Sequence, residues 1–175
     1  MGKLVTKKDV SVNSIHLCFR AINQRLISSL EFCFTHSPYC DVAYGNILNS
    51  EADAIVSPGN SSGSMGGGID LLYRNYFGKD IESKVQEEIS RKFKQGLPVG
   101  RAIIIPTEDQ RISFLITSPT MVYPMEIGCR NNVYKALRAV LERVLLHNAY
   151  SGAPTIQSIL IPGMGTWNGK MDPDE

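Results

Sequence analysis

The sequence contains no run of about 18 apolar residues, the length that a membrane-spanning helix requires. It also lacks an excess of charge, since 18 lysine and arginine residues against 17 acidic residues give a formal net charge of +1. A general binder of nucleic acid or of membrane surfaces usually carries a marked basic excess, so we expect neither partner. An anionic ligand would have to be held by local hydrogen-bond donors.

Cysteine is scarce, and the four cysteines show no paired spacing. Residues 1–10 are polar and lysine-bearing and do not resemble a secretory signal, so we expect free thiols and an intracellular location, in the cytoplasm or the nucleus. Cys33, His36 and Cys40 could supply three zinc ligands. A structural zinc requires four, and no further Cys or His pair completes the set, so we expect no metal.

The 175 residues, 43% of them hydrophobic, suffice for one domain with a buried core. Alternating apolar residues predict a strand near residues 15–19, and short apolar runs predict strands near 42–44, 54–56, 102–105, 114–116 and 158–161. We expect helices at 22–33, from about 70, from about 80 and at 133–147. Strands and helices therefore alternate, which indicates one α/β domain with a mostly parallel sheet and helices on both faces.

Two glycine-rich loops follow predicted strands. The first, residues 57–70, contains Gly66, Gly67 and Gly68 directly ahead of a helix, and the second comprises residues 162–169. Glycines remove side chains where a phosphate could approach, and they leave backbone N–H groups free at the positive end of a helix dipole. Because ligands bind beyond the carboxyl ends of such strands, the two loops could hold a diphosphate from both sides.

Glycine-rich turns also serve as plain connections in α/β folds, and this alternative stays open for each loop alone. Neither loop matches the phosphate-binding pattern of nucleoside triphosphatases, since no Gly-Lys-Ser/Thr follows. The first loop also lacks the spacing of the dinucleotide-binding fingerprint. The residues by themselves therefore predict a site for an anion or a nucleotide diphosphate.

Several short motifs occur in an order that one known family shares. They are Gly45-Asn46-Ile47, residues 52–60, and the triple glycine followed by Ile69-Asp70. This order resembles the macrodomain family. The individual motifs are most similar to those of its phage-type, ADP-ribose-phosphate-processing (Appr-1''-p) branch. The shared motifs are Ser-Pro-Gly-Asn-Ser (57–61), Leu-Pro-Val-Gly (97–100), Pro-Thr-Met (119–121) and Pro-Gly-x-Gly-Thr (162–166).

The resemblance covers about residues 13–175 and leaves 1–12 as a flexible N-terminal segment. It implies a single three-layer α/β/α sandwich with a mixed, mostly parallel central sheet. Residues 171–175 look like the first turn of a closing helix, so we expect that helix to be truncated here. The resemblance also implies a ligand, ADP-ribose or an ADP-ribosylated protein, and no cofactor; we expect a monomer.

The resemblance assigns residues to the adenine base and to the distal ribose of ADP-ribose. Asn46 stands where the family usually has an Asp that binds the adenine amino group, and its amide oxygen can still accept that bond. Ile47 would line the adenine slot. Asn60 matches the Asn that contacts the distal ribose.

The diphosphate would lie between the two glycine-rich loops. The resemblance assigns Gly66, Gly67, Gly68 and Ile69 to the first loop. It assigns to the second loop Gly163, Met164, Gly165, Thr166, Trp167 and Asn168. Trp167 would shield the distal ribose, although the phage-type branch tends to have glycine there.

Asn60 and Asp70 are the predicted catalytic residues, because they keep the ten-residue spacing of hydrolytic relatives. In those relatives the Asp helps to activate or position a water for attack at the anomeric carbon. A carboxylate there could orient water and stabilise oxocarbenium-like charge. Asp70 could instead only cap or begin the following helix, which is a common role for Asp.

An acidic pair, Glu87-Glu88, resembles one that poly-ADP-ribose glycohydrolases carry. It lies inside an amphipathic helical pattern, where a solvated charged face is the better interpretation. The sequence thus predicts a hydrolase that removes mono-ADP-ribosyl groups from proteins or processes an ADP-ribose derivative. The alternatives are a reader that binds without cleaving, and a degenerate macrodomain with a changed ligand, which the departures at Asn46 and Trp167 would fit.

Overall fold

The computed structural model describes residues 15–123, 125, 131–150, 152–166 and 169–174. The predicted flexible segment at 1–12 lies outside these ranges. The strands are β1 (His16–Ala21), β2 (Cys40–Tyr44), β3 (Ala54–Ser57), β4 (Ile103–Pro106), β5 (Phe114–Thr117) and β6 (Ser158–Ile161). The helices are α1 (Gln24–Phe34), α2 (Gly68–Phe77), α3 (Asp80–Lys92) and α4 (Asn131–Tyr150). Each predicted strand and helix is present, with ends shifted by a few residues.

The six strands form one sheet in the order β2-β1-β6-β3-β5-β4. Neighbouring strands are parallel except β4 and β5, which are antiparallel. The connection at 107–113 explains the exception, because parallel pairing needs a crossover of about a dozen residues or more. The predicted mixed, mostly parallel sheet is therefore confirmed.

The strands bury alternate side chains on the two faces of the sheet, as strand geometry requires. One face shares a hydrophobic cluster with α4 that includes Val56, Ile116, Ile161, Val140 and Val144. The other face shares a cluster with α2 and α3 that includes Ile55, Leu115, Leu160, Tyr73 and Val85. Helices thus cover both faces, which confirms the three-layer sandwich. None of the helices in the described ranges combines the length and the apolar content that a membrane span needs.

The chain that follows β3 is held against the chain that follows β5. The Ser118 amide donates to the Ser57 carbonyl at 3.0 Å, and the Thr120 amide donates to the Gly59 carbonyl at 3.2 Å. The Ser61 amide then donates to the Met121 carbonyl at 3.1 Å. The parallel pairing of β3 and β5 therefore continues beyond the sheet and fixes the start of the first glycine-rich loop.

The connection between α3 and β4 also presses on this loop. The Leu97 amide donates to the Ser61 carbonyl oxygen at 2.8 Å. Gly96, with φ +85°, approaches so closely that an added Cβ would lie 2.7 Å from the same oxygen. Only glycine meets both requirements, a left-handed backbone and no side chain.

Gly96→Ala is expected to lower the free energy of unfolding by about 2–4 kcal/mol, because left-handed strain and a clash with backbone add together. Gly152→Ala is the matched control, since Gly152 has φ +68° and its Cβ would meet no atom within 4 Å. We expect the control to lose only the strain, about 1–2 kcal/mol. Urea denaturation of both variants measures the difference, and equal losses would contradict the close packing of Gly96 on Ser61.

Candidate functional site

A cavity of about 310 Å³ opens where β3 and β6 end. It is lined by Pro58, Gly59, Asn60, Ser64, Gly66, Gly67, Gly68, Ile69, Asp70, Met121, Gly163, Gly165 and Gly169. Both glycine-rich loops therefore contribute to one cavity. They meet because β3 and β6 are parallel neighbours, so their carboxyl ends lie at the same edge of the sheet.

The first loop leaves the N-terminus of α2 open toward the cavity. Gly67 is the N-cap residue and provides no side-chain hydrogen bond to the first turn. An added Cβ at Gly67 would meet no atom within 4 Å, so the space beside it is open. Gly68 begins the helix with φ +57°, a conformation that glycine adopts without strain. Helix-end amides without an internal acceptor suit an anionic ligand.

The second loop is pressed against α1. A Cβ at Gly163 would lie 2.6 Å from Cδ2 of Leu26 and 2.9 Å from Oγ1 of Thr166. Met164 is buried and belongs to the hydrophobic cluster on the α4 side, so its side chain packs in the core. Thr166 is half-buried and does not line the cavity.

The residues after the second loop return to α1. The Met171 amide donates to the Gly165 carbonyl at 3.0 Å. Arg25 pairs with Asp172 at 2.9 Å and also with Asp174, which accepts a hydrogen bond from Ser29 at 2.7 Å. The described part of this segment, 169–174, contains a turn at 173–174 but no helix.

Asp70 places a carboxylate in the wall of the cavity, although only 7% of the residue is exposed. Ser57 Oγ donates a hydrogen bond to Asp70 Oδ1 at 2.6 Å. Burial disfavours the ionised form and raises the pKa of Asp70 to about 6, while the hydrogen bond from Ser57 acts in the opposite direction. The carboxylate is therefore mostly ionised at neutral pH and can still take up a proton close to that pH.

Gly59 is the residue that makes room for this carboxylate. A Cβ at Gly59 would lie only 2.8 Å from Asp70 Oδ2. Any side chain at this position would collide with the acid group, so the Pro58-Gly59-Asn60 turn and Asp70 depend on each other sterically. Sequence reasoning missed Gly59, because a glycine before Asn60 looks like ordinary turn chemistry.

The Asn60 side chain lines the cavity and also fastens its own loop. Its Oδ1 accepts hydrogen bonds from the Ser62 amide at 3.1 Å and from Ser62 Oγ at 2.6 Å. Its Nδ2 donates to the Ser64 carbonyl at 3.2 Å. Asn60 therefore holds the loop in a fixed shape next to Asp70, and a ligand hydroxyl would have to share these bonds.

The two residues predicted to meet adenine lie outside the cavity lining. Asn46 is exposed, and its Oδ1 accepts a hydrogen bond from the Leu48 amide at 3.0 Å, which caps the short 3₁₀ helix Ile47–Asn49. Ile47 is buried in the cluster between the sheet and α2–α3. Their adenine roles stay predictions. Trp167 and Asn168 lie outside the described residues.

Glu82 supports the glycine loop from α3, and the sequence offers no signal for this role. Its Oε1 accepts a hydrogen bond from the Met65 amide at 2.8 Å, and its Oε2 accepts one from Arg74 Nη1 at 2.9 Å. These two bonds hold the pKa of Glu82 below its usual value. One carboxylate thus connects α3, α2 and the residue before the triple glycine.

The acidic pair on α3 takes no part in the cavity. Glu88 pairs with Arg91 and Lys92 one turn further along the helix, and these bonds lower the pKa of Glu88 to about 2. Glu87 is exposed. The lining also includes Pro58, Ser64 and Gly169, which belong to the two predicted loops, and Met121 from the Pro-Thr-Met motif.

The family model described as Macro domain matches residues 56–175, which include both glycine-rich loops. The chain belongs to the macrodomain family. A protein of Aquifex aeolicus is 34% identical over 128 residues, covering 73% of this chain and 70% of that protein. A protein of Aeropyrum pernix is 32% identical, and the match covers 73% of this chain and 61% of that protein. The assignment to the phage-type branch stays a prediction.

Solved macrodomain structures share this fold. The macrodomain of Mycobacterium tuberculosis DarG has a TM-score of 0.62 at 20% identity, covering 75% of this chain and 80% of that one. A mutant Oceanobacillus iheyensis macrodomain with ADPR has a TM-score of 0.59 at 20% identity, covering 73% and 66%. Thermosipho africanus DarTG in complex with ADP-ribose has a TM-score of 0.57 at 15% identity, covering 83% and 44%.

The raised pKa of Asp70 predicts how stability depends on pH. A carboxyl whose pKa is near 3.8 when unfolded and about 6 when folded stabilises the fold below pH 4 and loses that contribution as pH rises through 6. Asp70→Asn keeps an acceptor for Ser57 but does not titrate. Between pH 4 and pH 7.5, we therefore expect the free energy of unfolding of the variant to rise by about 2–3 kcal/mol relative to that of the wild type.

Urea denaturation of both proteins across this range measures the gain, and the comparison cancels the titration of other carboxylates. A difference between wild type and Asp70→Asn that does not change with pH would show that Asp70 is not desolvated in the folded protein.

Proposed function

We propose that this macrodomain binds ADP-ribose in the cavity and hydrolyses mono-ADP-ribosyl linkages on proteins, or processes an ADP-ribose derivative. The similar structures from Oceanobacillus iheyensis and Thermosipho africanus contain ADPR and ADP-ribose, which supports the ligand. The observation that supports the hydrolase proposal is that Asp70 places a buried carboxylate with a pKa of about 6 in the cavity wall.

The diphosphate would lie between the two glycine-rich loops. Gly66, Gly67 and Gly68 supply backbone N–H groups at the start of α2, and Gly163 and Gly165 face them. Among the described residues, the cavity lining includes no lysine or arginine. Recognition of the phosphates would therefore depend on backbone donors and the helix dipole.

Asp70 would act on the attacking water. Its carboxylate accepts a hydrogen bond from the water, the water oxygen bonds to the anomeric carbon of the distal ribose, and the bond from that carbon to the protein side chain breaks. The water proton passes to Asp70, and the leaving group takes a proton from solvent. A base with a pKa near 6 suits this transfer at neutral pH, and its negative charge stabilises the oxocarbenium-like transition state. Asn60 would hold the distal ribose.

A reader function is the second candidate, and one observation favours it. Asp70 is nearly inaccessible, and its hydrogen bond to Ser57 joins the first turn of α2 to the end of β3. Such a carboxylate can be purely structural, in which case the glycine loops would bind ADP-ribose or an ADP-ribosylated protein without cleaving it.

Asp70→Asn and Asp70→Ala are both expected to reduce release of ADP-ribose from a mono-ADP-ribosylated protein at least about 100-fold, because no base remains. Affinity for ADP-ribose, measured by calorimetry, should stay within about tenfold, or roughly 1.4 kcal/mol. Glu87→Gln, on the exposed face of α3, is the control and should match the wild type.

Two results would point elsewhere. Tight binding by the wild type without release from several modified substrates would establish the reader. Failure of millimolar ADP-ribose to raise the melting temperature would indicate a changed ligand.

Glu82→Ala is expected to weaken ADP-ribose binding about tenfold, because the Met65 amide and Arg74 lose a charged acceptor and the glycine loop loses its support. Glu82→Gln keeps an acceptor for the amide and should lose only about two- to threefold. Calorimetry distinguishes the two variants. Equal affinity of Glu82→Ala and the wild type would show that the loop holds its shape without α3.

A further inference from the structure

Ser57 is the hydrogen-bond donor that the described residues provide to the Asp70 carboxylate. Its Oγ lies 2.6 Å from Oδ1, and both residues are buried, with 2% and 7% of their surface exposed. Hydrogen bonds to an ionised acceptor away from water are short and strong, so this bond fixes one carboxylate oxygen. Because the carboxyl group is planar, fixing Oδ1 also sets the direction of the second oxygen, Oδ2.

That direction is toward the cavity wall. Asp70 Oδ2 lies beside Gly59, so close that a Cβ there would be 2.8 Å away, and Gly59 lines the cavity. Ser57 itself cannot shift easily. It pairs with Thr117 across the β3–β5 ladder, and its carbonyl accepts the Ser118 amide at 3.0 Å.

We propose that Ser57 is a positioning residue for Asp70. Its hydroxyl holds Oδ1 at the end of β3 and leaves Oδ2 to bind the reacting water. The kinetic part of this inference rests on the proposed hydrolase, whereas the effect of Ser57 on the carboxylate does not. The Ser57 hydroxyl also stabilises the anion that burial disfavours. Without it, less of Asp70 would be ionised at neutral pH.

The other titratable groups around Asp70 do not replace this donor. Tyr73, one turn further along α2, is fully buried, and its hydroxyl has no hydrogen-bond partner in the described part of the chain. Its pKa is raised well above the usual value, first by burial and then by the charge of Asp70. Arg74 and Glu82 pair with each other. Ser57 is thus the group that acts directly on the carboxylate.

The test compares three variants in the whole chain. Ser57→Ala removes the donor, and Ser57→Thr keeps a hydroxyl. Thr117→Val removes a different buried hydroxyl, on the neighbouring strand, which has no hydrogen-bond partner among the described residues. Melting temperatures establish that each variant is folded. Carbon-13 NMR then follows the titration of the Asp70 carboxyl, which is assigned by its disappearance in Asp70→Asn.

We expect Ser57→Ala to raise the pKa of Asp70 by about one unit, since a donor to the ionised form is lost. Ser57→Thr and Thr117→Val should titrate like the wild type. If the domain hydrolyses its substrate, kcat of Ser57→Ala at pH 7 should fall about tenfold with KM within about twofold. Lost ionisation accounts for less than about twofold of this and lost positioning for the rest, and the acidic limb of the pH profile should move with the pKa.

An Asp70 titration in Ser57→Ala that stays within about 0.3 units of the wild type would overturn the proposal. So would an equal shift in Thr117→Val, because any buried hydroxyl would then have the same effect. If the titration moves while every protein, including the wild type, lacks turnover, the hydrolase fails and the control of Asp70 by Ser57 stands.

Discussion

The parallel pairing of β3 with β6 is the constraint on which the cavity depends. Parallel neighbours end at the same edge of a sheet, so the loops that follow them must meet there, although about 100 residues separate them in the chain. The other contacts hold each of the two loops in place. The β5 extension and Gly96 hold the first loop, Glu82 supports it from α3, and Leu26 of α1 lies under Gly163. Close packing therefore accounts for Gly59, Gly96 and Gly163, whereas the space beside Gly67 is open.

Local patterns predicted the fold and much of the cavity. The apolar run at residues 54–56 and the triple glycine are short-range features, and they identify β3 and the N-terminus of α2 directly. Contacts between residues far apart in the chain produce no local pattern. Glu82 accepts a hydrogen bond from the Met65 amide, 17 positions earlier, and the absence of a side chain at Gly59 makes room for a carboxylate eleven positions later. Asn46 shows a third limit, since an amide oxygen can cap a helix as well as bind a ligand, and composition does not distinguish the two.

The buried Asp70 carboxylate is an energetic compromise. Burial places a charge where water cannot solvate it, which makes the folded state less stable at neutral pH than a neutral side chain would. Such local costs are typical of functional sites, where a group is held in a state that stability alone would not select. The hydroxyls of Tyr73 and Thr117 are also buried, without hydrogen-bond partners in the described residues. Each such group further lowers the free energy of unfolding.

The return of residues 169–174 to α1 makes the two walls of the cavity mechanically unequal. The first wall is joined to the sheet by backbone hydrogen bonds and a partly buried carboxylate. The second begins with the buried Met164, but the residues that follow it are fastened through Arg25, Asp172 and Asp174, whose side chains are all more than half exposed. Water and dissolved salt screen such charges, so this fastening releases at little energetic cost. We therefore expect the contact between residues 169–174 and α1 to weaken as ionic strength rises, whereas the supports of the first loop should change little.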